Sequence, residues 1–374
     1  MRQILRLLPV GACALLILWG TGADAKRKRT KKLSKKKIEK LVKKAAKKEP
    51  DWWDDVELQV PETLVLTAWR APTGTDAKEA VDKYPSNYVW SKIVPNEARW
   101  QEGIKLAHAC LKKAAGSNKN AITLDLAGFY KNLLNDYARA IYYYRESPAG
   151  KTTDMGLGDC YAALGNAQMA MELYKKHEKS ADREGGVIRR YARLGETKLA
   201  LKVGKALVGS ATGRDKAVAL IACGDVCRAD GKYDDALEFY AQVKDVEVPD
   251  RGDAKKTEDE RKRIERLRGR AEVAAKMVKL FEALDLSKIP DGSHEGKAKG
   301  YAGDIVVRVT MKDGKIEKVV VLSHKETRFY NALTSVPQQI VENQSLKVDA
   351  VTSATVSSDA VVAAAGEAIE KAMP

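Results

Sequence analysis

Several familiar signatures are missing from this 374-residue chain, and each absence closes a class of function. Its five cysteines include no CxxCH, which excludes c-type haem attachment, and no CxxC pair. There is no GxGxxG, the fingerprint of nicotinamide-dinucleotide domains. Only four histidines occur, and no His/Cys/carboxylate group has metal-ligand spacing, so no metal is expected. The one strongly basic stretch has no interleaved aromatics, and no nucleic-acid role is expected.

Charge is unevenly placed. The chain carries a formal +15, and residues 26–50 hold +12 of it, as 14 Lys/Arg against Glu39 and Glu49. The remainder is close to neutral, so the basic character belongs to one arm. Ahead of it stand a short positive start (MRQILR), an apolar run (LLPVGACALLILWG) and the small-residue site ADA at 23–25. This is the layout of an export signal, with cleavage expected after Ala25. An uncleaved anchor is the alternative. Removal of the signal leaves Cys110, Cys160, Cys223 and Cys227. An i,i+4 helical pair such as 223/227 is poorly disposed for a disulfide, and small buried thiols are expected.

Residues 26–48 place Leu33, Ile38, Leu41, Val42 and Ala45 on one side at helical spacing. The segment reads either as a weak amphipathic helix that holds an anionic membrane surface, or as a solvated tail. Residues 51–95, with Trp52, Trp53, Trp69 and Trp90, read as a connector docked on the next domain.

Residues 96–283 look helical and repetitive. Ala140, Ala170, Ala200 and Ala236 occupy equivalent places in LLNDYARAIYYY, ALGNAQMAMELY, RLGETKLALKVG and ADGKYDDALEFY. Five residues before each stands Asn135, Gly165, Gly195 or Gly231, where Gly or Asn ends one helix and lets the next fold back. Gly128, Gly158 and Gly224 add a second small position. The pieces 156–176 and 222–243 resemble tetratricopeptide repeats. That resemblance implies stacked helix pairs with a concave surface suited to a protein partner. A helical spacer without a ligand is the competing reading. Residues 250–270 are charged on nearly all sides and read as a solvated helix or linker.

From residue 284 the composition changes. IVVRVTM (305–311) and IEKVVVL (316–322) are β-rich, and KDGK joins them through Asp-Gly, a strong hairpin signal. Ile305, Val307, Val309 and Met311 should share one face, with Ile316, Val320 and Leu322 opposite them. Residues 357–373 supply a covering helix, with Ser357 or Ser358 as N-cap and Val361, Ala365, Ala368 and Ile369 as its stripe. The fold class is a helical repeat solenoid followed by a small α+β domain. The segments are 1–25 signal, 26–50 basic arm, 51–95 connector, 96–283 repeats and 284–374 α+β domain.

DGSHEG (291–296), GYAG (300–303), the hairpin, SHKET (323–327) and DAVTSAT (349–355) occur in order, and together they resemble the FMN-binding domain family. That family includes subunits of sodium-pumping NADH:quinone oxidoreductases and membrane regulators of nitrous-oxide reduction. The resemblance implies FMN joined through a phosphoester to the last threonine of the motif, Thr355, by a FAD:protein FMN transferase. Asp349, Thr352, Ser353 and Ala354 complete the motif. Ser353 stands where the family usually has Gly, the residue that reaches positive φ without steric cost. Gly300 and Gly303 are candidates for close backbone approach to the cofactor. His324, Glu326 and Thr327 are candidates for lining the ring, and Ser357 and Ser358 for holding the phosphate.

No acid–base constellation for a substrate stands out, so no catalytic residue is assigned. The leading expectation is an exported, periplasmic or cell-envelope electron carrier with covalent FMN, docking unknown redox donors and acceptors through its repeats. The alternatives are a repeat-based assembly protein whose flavin domain senses redox state or is not loaded, and a reductase with its own substrate. A visible spectrum separates a flavin-free scaffold from the other two.

Overall fold

The computed structural model describes residues 32–179, 185–326, 331–348 and 355–373. The basic arm enters as helix α1 (Lys35–Lys47), capped by the Ser34 hydroxyl on the Lys37 N–H. Ile38 and Val42 are buried against the repeats, and Glu39 pairs with Arg145 at 2.5 Å. Most of the predicted apolar stripe is therefore used inside the molecule, and the lysines Lys36, Lys40, Lys43, Lys44 and Lys47 face outward. The connector carries two short helices, α2 (Ala77–Lys83) and α3 (Pro85–Tyr88). In it Trp69 is fully buried and its indole N–H donates to Asp125 Oδ2 at 2.7 Å.

Helix α4 (Trp100–Leu111) leads into four antiparallel helix pairs. These are α5 (Gly116–Asn132) with α6 (Tyr137–Glu146) and α7 (Lys151–Ala163) with α8 (Ala167–Lys175). Then follow α9 (Gly186–Arg193) with α10 (Thr197–Ser210), and α11 (Gly213–Ala229) with α12 (Tyr233–Gln242). The four turn residues read from the sequence, Asn135, Gly165, Gly195 and Gly231, all have left-handed φ, between 53° and 84°. That conformation costs Gly nothing and is tolerated by Asn. Ala140, Ala170, Ala200 and Ala236 are all fully buried. Gly158 and Gly224 make room for Tyr174 and Tyr240, whose rings a Cβ would strike at 2.3 and 2.5 Å. The four cysteines in the described residues are free and buried, and burial pushes the Cys223 and Cys227 thiols up to about 12 and about 11.

Helix α13 (Ala254–Ala283) spans 30 residues, roughly 45 Å. Residues 250–270 read as a solvated helix or linker, and they are mostly exposed, but Ile264 among them is buried, and beyond them Ala271, Ala274 and Val278 form a buried edge against α11 and α12. Met277 and Leu280, on a neighbouring face, enter a different core, that of the C-terminal sheet. One helix thus serves two cores.

That sheet has three antiparallel strands in the order β1 (Gly292–Lys299), β2 (Asp304–Lys312) and β3 (Lys315–Ser323). Asp313 and Gly314 form the hairpin turn with φ of 50° and 68°. The face of β2 is as expected, with Ile305, Val307, Val309 and Met311 buried. The face of β3 is not. Ile316 and Val319 point inward and Leu322 is 40% exposed. Register shifts between Thr310 and Met311 and between Val306 and Val307 insert an extra residue on β3 each time, and each insertion reverses the alternation. Helix α14 (Asn331–Asn343) packs on β3, and α15 (Thr355–Ala372) lies across β1 and β2 with Val361, Ala365, Ala368 and Ile369 buried. The approach is close. A Cβ on Gly296 of β1 would stand 2.1 Å from the Ala364 carbonyl oxygen.

Candidate cofactor site

Chain direction brings three parts of the flavin-like motif set together: the turn between β1 and β2, the segment after β3, and the start of α15. The turn is closed by the Gly300 N–H donating to the Gly303 carbonyl at 2.7 Å. Glu326, 5% exposed, lies beneath it and accepts from the Ala302 N–H at 3.1 Å. Its other carboxylate oxygen accepts from the Ser357 hydroxyl. Glu326 therefore braces the glycine turn against α15. The fit is tight, because a Cβ on Gly300 would lie 2.4 Å from Glu326 Oε1 and one on Gly303 would meet the Lys325 side chain at 2.8 Å.

The sequence placed Ser357 or Ser358 at the N-cap. The helix instead begins at Thr355, so both serines lie in its first turn, buried at 4% and 1% exposure. The Ser357 hydroxyl is turned to Glu326 and does not cap a backbone N–H. Position 355 is thus at the positive end of an 18-residue helix, where an anion is favoured. His324 is exposed. Asp349, Thr352, Ser353, Ala354 and Thr327 lie outside the described residues.

Four residues not singled out from the sequence adjoin this region. Tyr301, at the tip of the glycine turn, is 69% exposed, a flat apolar face beside the turn. Asp359, one helical turn after Thr355, accepts from Arg270 at 2.9 Å and from Arg228 at 3.5 Å. These arginines belong to α13 and α11. They also approach Asp225 at 4.0 and 3.8 Å, which Arg189 of α9 holds at 2.5 Å and Tyr240 OH at 2.7 Å. Burial raises the Asp225 carboxyl, but Arg189, Arg228 and Arg270 outweigh it and keep it below the usual carboxylate range. Sequence separations of 131 and 89 residues leave no local signal for the arginine contacts with Asp359. Asp359 itself was within reach, being four residues from a quoted threonine.

These residues fit FMN: a turn with no room for a Cβ, an exposed aromatic at its tip, and a hydroxyl residue at the positive end of a helix.

Comparison with known proteins agrees. The model of the FMN-binding domain matches residues 300–370, and that of a tetratricopeptide repeat matches residues 219–255. The C-terminal part of the chain is an FMN-binding domain, preceded by tetratricopeptide-like repeats. The chain is 34% identical over 105 residues to the NADH:acrylate oxidoreductase of Vibrio harveyi, covering 26% of this chain and 10% of that protein. It is also 34% identical over 90 residues to an uncharacterized protein of Treponema pallidum (strain Nichols), covering 24% of this chain and 25% of that one. The matched segment is thus a quarter or less of either relative's length. No solved structure matches.

Proposed function

We propose that this chain, with its FMN-binding domain behind tetratricopeptide-like repeats, is an exported electron carrier whose FMN is joined through a phosphoester to Thr355. The carrying observation is the location of Thr355. It is the first residue of α15, and two residues on, Ser357 is locked through Glu326 to the glycine turn. A FAD:protein FMN transferase would join the threonine oxygen to the FMN phosphorus. The pyrophosphate bond of FAD breaks, AMP leaves with the bonding pair, and the hydroxyl proton passes to solvent. Bound flavin supplies one- or two-electron transfer. The chain's own part is to fix the attachment point, present Tyr301 beside it, and dock donor and acceptor proteins on the repeats. A tether also suits an exported protein, because it replaces weak binding of scarce free FMN by a high local concentration.

The test is co-expression with a FAD:protein FMN transferase, denaturation, and in-gel flavin fluorescence. The unmutated chain and Thr355→Ala are compared, with Thr352→Ala as control. Fluorescence should be lost in Thr355→Ala alone. A fluorescent Thr355→Ala band rules out the attachment point.

The basic arm supports a second element of this reading, contact with an anionic membrane surface. Because Ile38 and Val42 are occupied inside the molecule, the contact is by charge and not by insertion. Sedimentation with vesicles containing anionic lipid should fall steeply as salt rises through a few hundred millimolar. Binding that resists salt contradicts it.

A further inference from the structure

Among the second helices of the four pairs, α10 alone has no acid. It carries three lysines instead, and Lys198, Lys202 and Lys205 are all exposed. Spaced i, i+4 and i+7, they form one line about 10 Å long. Ala200, Val203 and Leu207 are buried on the opposite side. None of the three lysines has an ion pair among the described residues. Like charges at this spacing repel, so the stripe costs the helix stability and gives the fold nothing in return. The second helices of stacked pairs lie in a row on one side of such an array. Helix α1 packs on α6, the first of that row, and turns Lys36, Lys40, Lys43, Lys44 and Lys47 away from it. Helix α12, next after α10, has exposed Asp234, Asp235 and Glu238 and no lysine, so the basic strip ends at α10.

The cations of both stripes are lysines, and α10 exposes no large apolar side chain. Protein interfaces are poor in lysine and are anchored by arginine and aromatic residues. A fluid layer of anionic headgroups asks only for charge. We propose that the lysine stripe of α10 is a second contact with an anionic membrane surface, so that α1 and α10 together lay the array along the bilayer. This rests on the membrane contact read above for the basic arm. The acids of α12, which such a surface repels, mark where the contact stops.

The experiment is sedimentation of the full chain at low salt with vesicles of phosphatidylglycerol and phosphatidylcholine. Three triple variants remove the same charge from different places: Lys198→Gln, Lys202→Gln and Lys205→Gln on α10, Lys36→Gln, Lys40→Gln and Lys43→Gln on α1, and Lys255→Gln, Lys256→Gln and Lys262→Gln on α13 as control. All nine lysines are exposed, and circular dichroism checks that each variant folds. The α10 and α1 variants should each bind about 100-fold more weakly than the unmutated chain, and the α13 variant should stay close to it. Should the α10 triple fail to fold, Lys202→Gln alone carries the test, with an expected loss of about fivefold. An α10 variant that binds like the unmutated chain, or that loses no more than the α13 control, overturns this inference alone. It would leave the stripe to an acidic protein partner or to solvent. An unmutated chain that does not sediment, or an α1 variant that binds undiminished, overturns the membrane reading and this inference with it.

Discussion

The repeat array and the flavin domain are held together by different chemistry. In the array, each of two largely buried aspartates grips the helices on either side. Asp159 of α7 takes Lys131 of α5 at 3.0 Å, Arg190 of α9 at 2.7 Å and Tyr174 of α8 at 3.1 Å. Asp225 of α11 takes Arg189 of α9, Arg270 of α13 and Tyr240 of α12 in the same arrangement. The main cluster of the flavin domain is apolar instead, where Ile305, Val307, Val309, Val361 and Ile369 meet, and the domain's buried Glu326–Ser357 pair serves to brace the glycine turn. The contrast teaches where specificity comes from. Stacked helix pairs offer near-identical apolar faces, so paired charges fix which neighbour fits. A sheet under two helices has only one way to close.

That contrast can be broken first on the apolar side. Gly296→Leu drives a side chain into the backbone of α15, and the flavin domain should lose more than about 4 kcal/mol and unfold together with the last repeat, while the repeats before α11 stay protease-resistant. Circular dichroism with limited proteolysis reads both halves. Loss of the repeats before α11 as well would deny the two halves their separate chemistry.

On the polar side, Asp225→Asn should cost about 3 kcal/mol in urea unfolding, since it takes the shared carboxylate from the buried Arg189 and the half-buried Arg228 and Arg270. The same residue sets a pH dependence. Its folded pKa is depressed below the unfolded one, so its contribution is present above about pH 4 and is lost as pH falls through the folded value. Stability of the unmutated chain should fall more steeply below about pH 4 than that of Asp225→Asn. Parallel curves would assign the buried charges no stabilising role.

The smallest effect sharpens the same point. Glu39 and Arg145 make an ion pair as short as the buried ones, but both are about a third exposed. Glu39→Gln should cost under about 1 kcal/mol by urea unfolding. A cost equal to that of Asp225→Asn would mean that burial is not what gives the array's charges their weight.

Much of the array was legible because its signals are local. A left-handed turn residue followed by a small alanine five places later can be read without knowing any contact. Strand β1 was not, because GSHEGKAK has no apolar alternation and its key residue, Gly296, is defined by what it leaves room for. The face of β3 was misread since neither insertion is marked by Gly or Pro. In α13 the buried positions are thinly spread among charges. At the site, the motif identified Glu326, Ser357 and the glycine turn as candidates, but not that the first two are bonded to each other. The arginines that reach Asp359 come from helices far away in sequence, where no motif extends.

Helix α13 has a consequence for how the molecule comes apart. Val278 is buried with the repeats while Met277 and Leu280, one and two positions away, are buried with the sheet. Fraying this helix from its C-terminal end strips a wall from both cores at once. The two halves, unlike in chemistry, are thereby coupled in cooperativity: heat should take the last repeat and the flavin domain through a single calorimetric transition, and a break designed into α13 should split that transition in two.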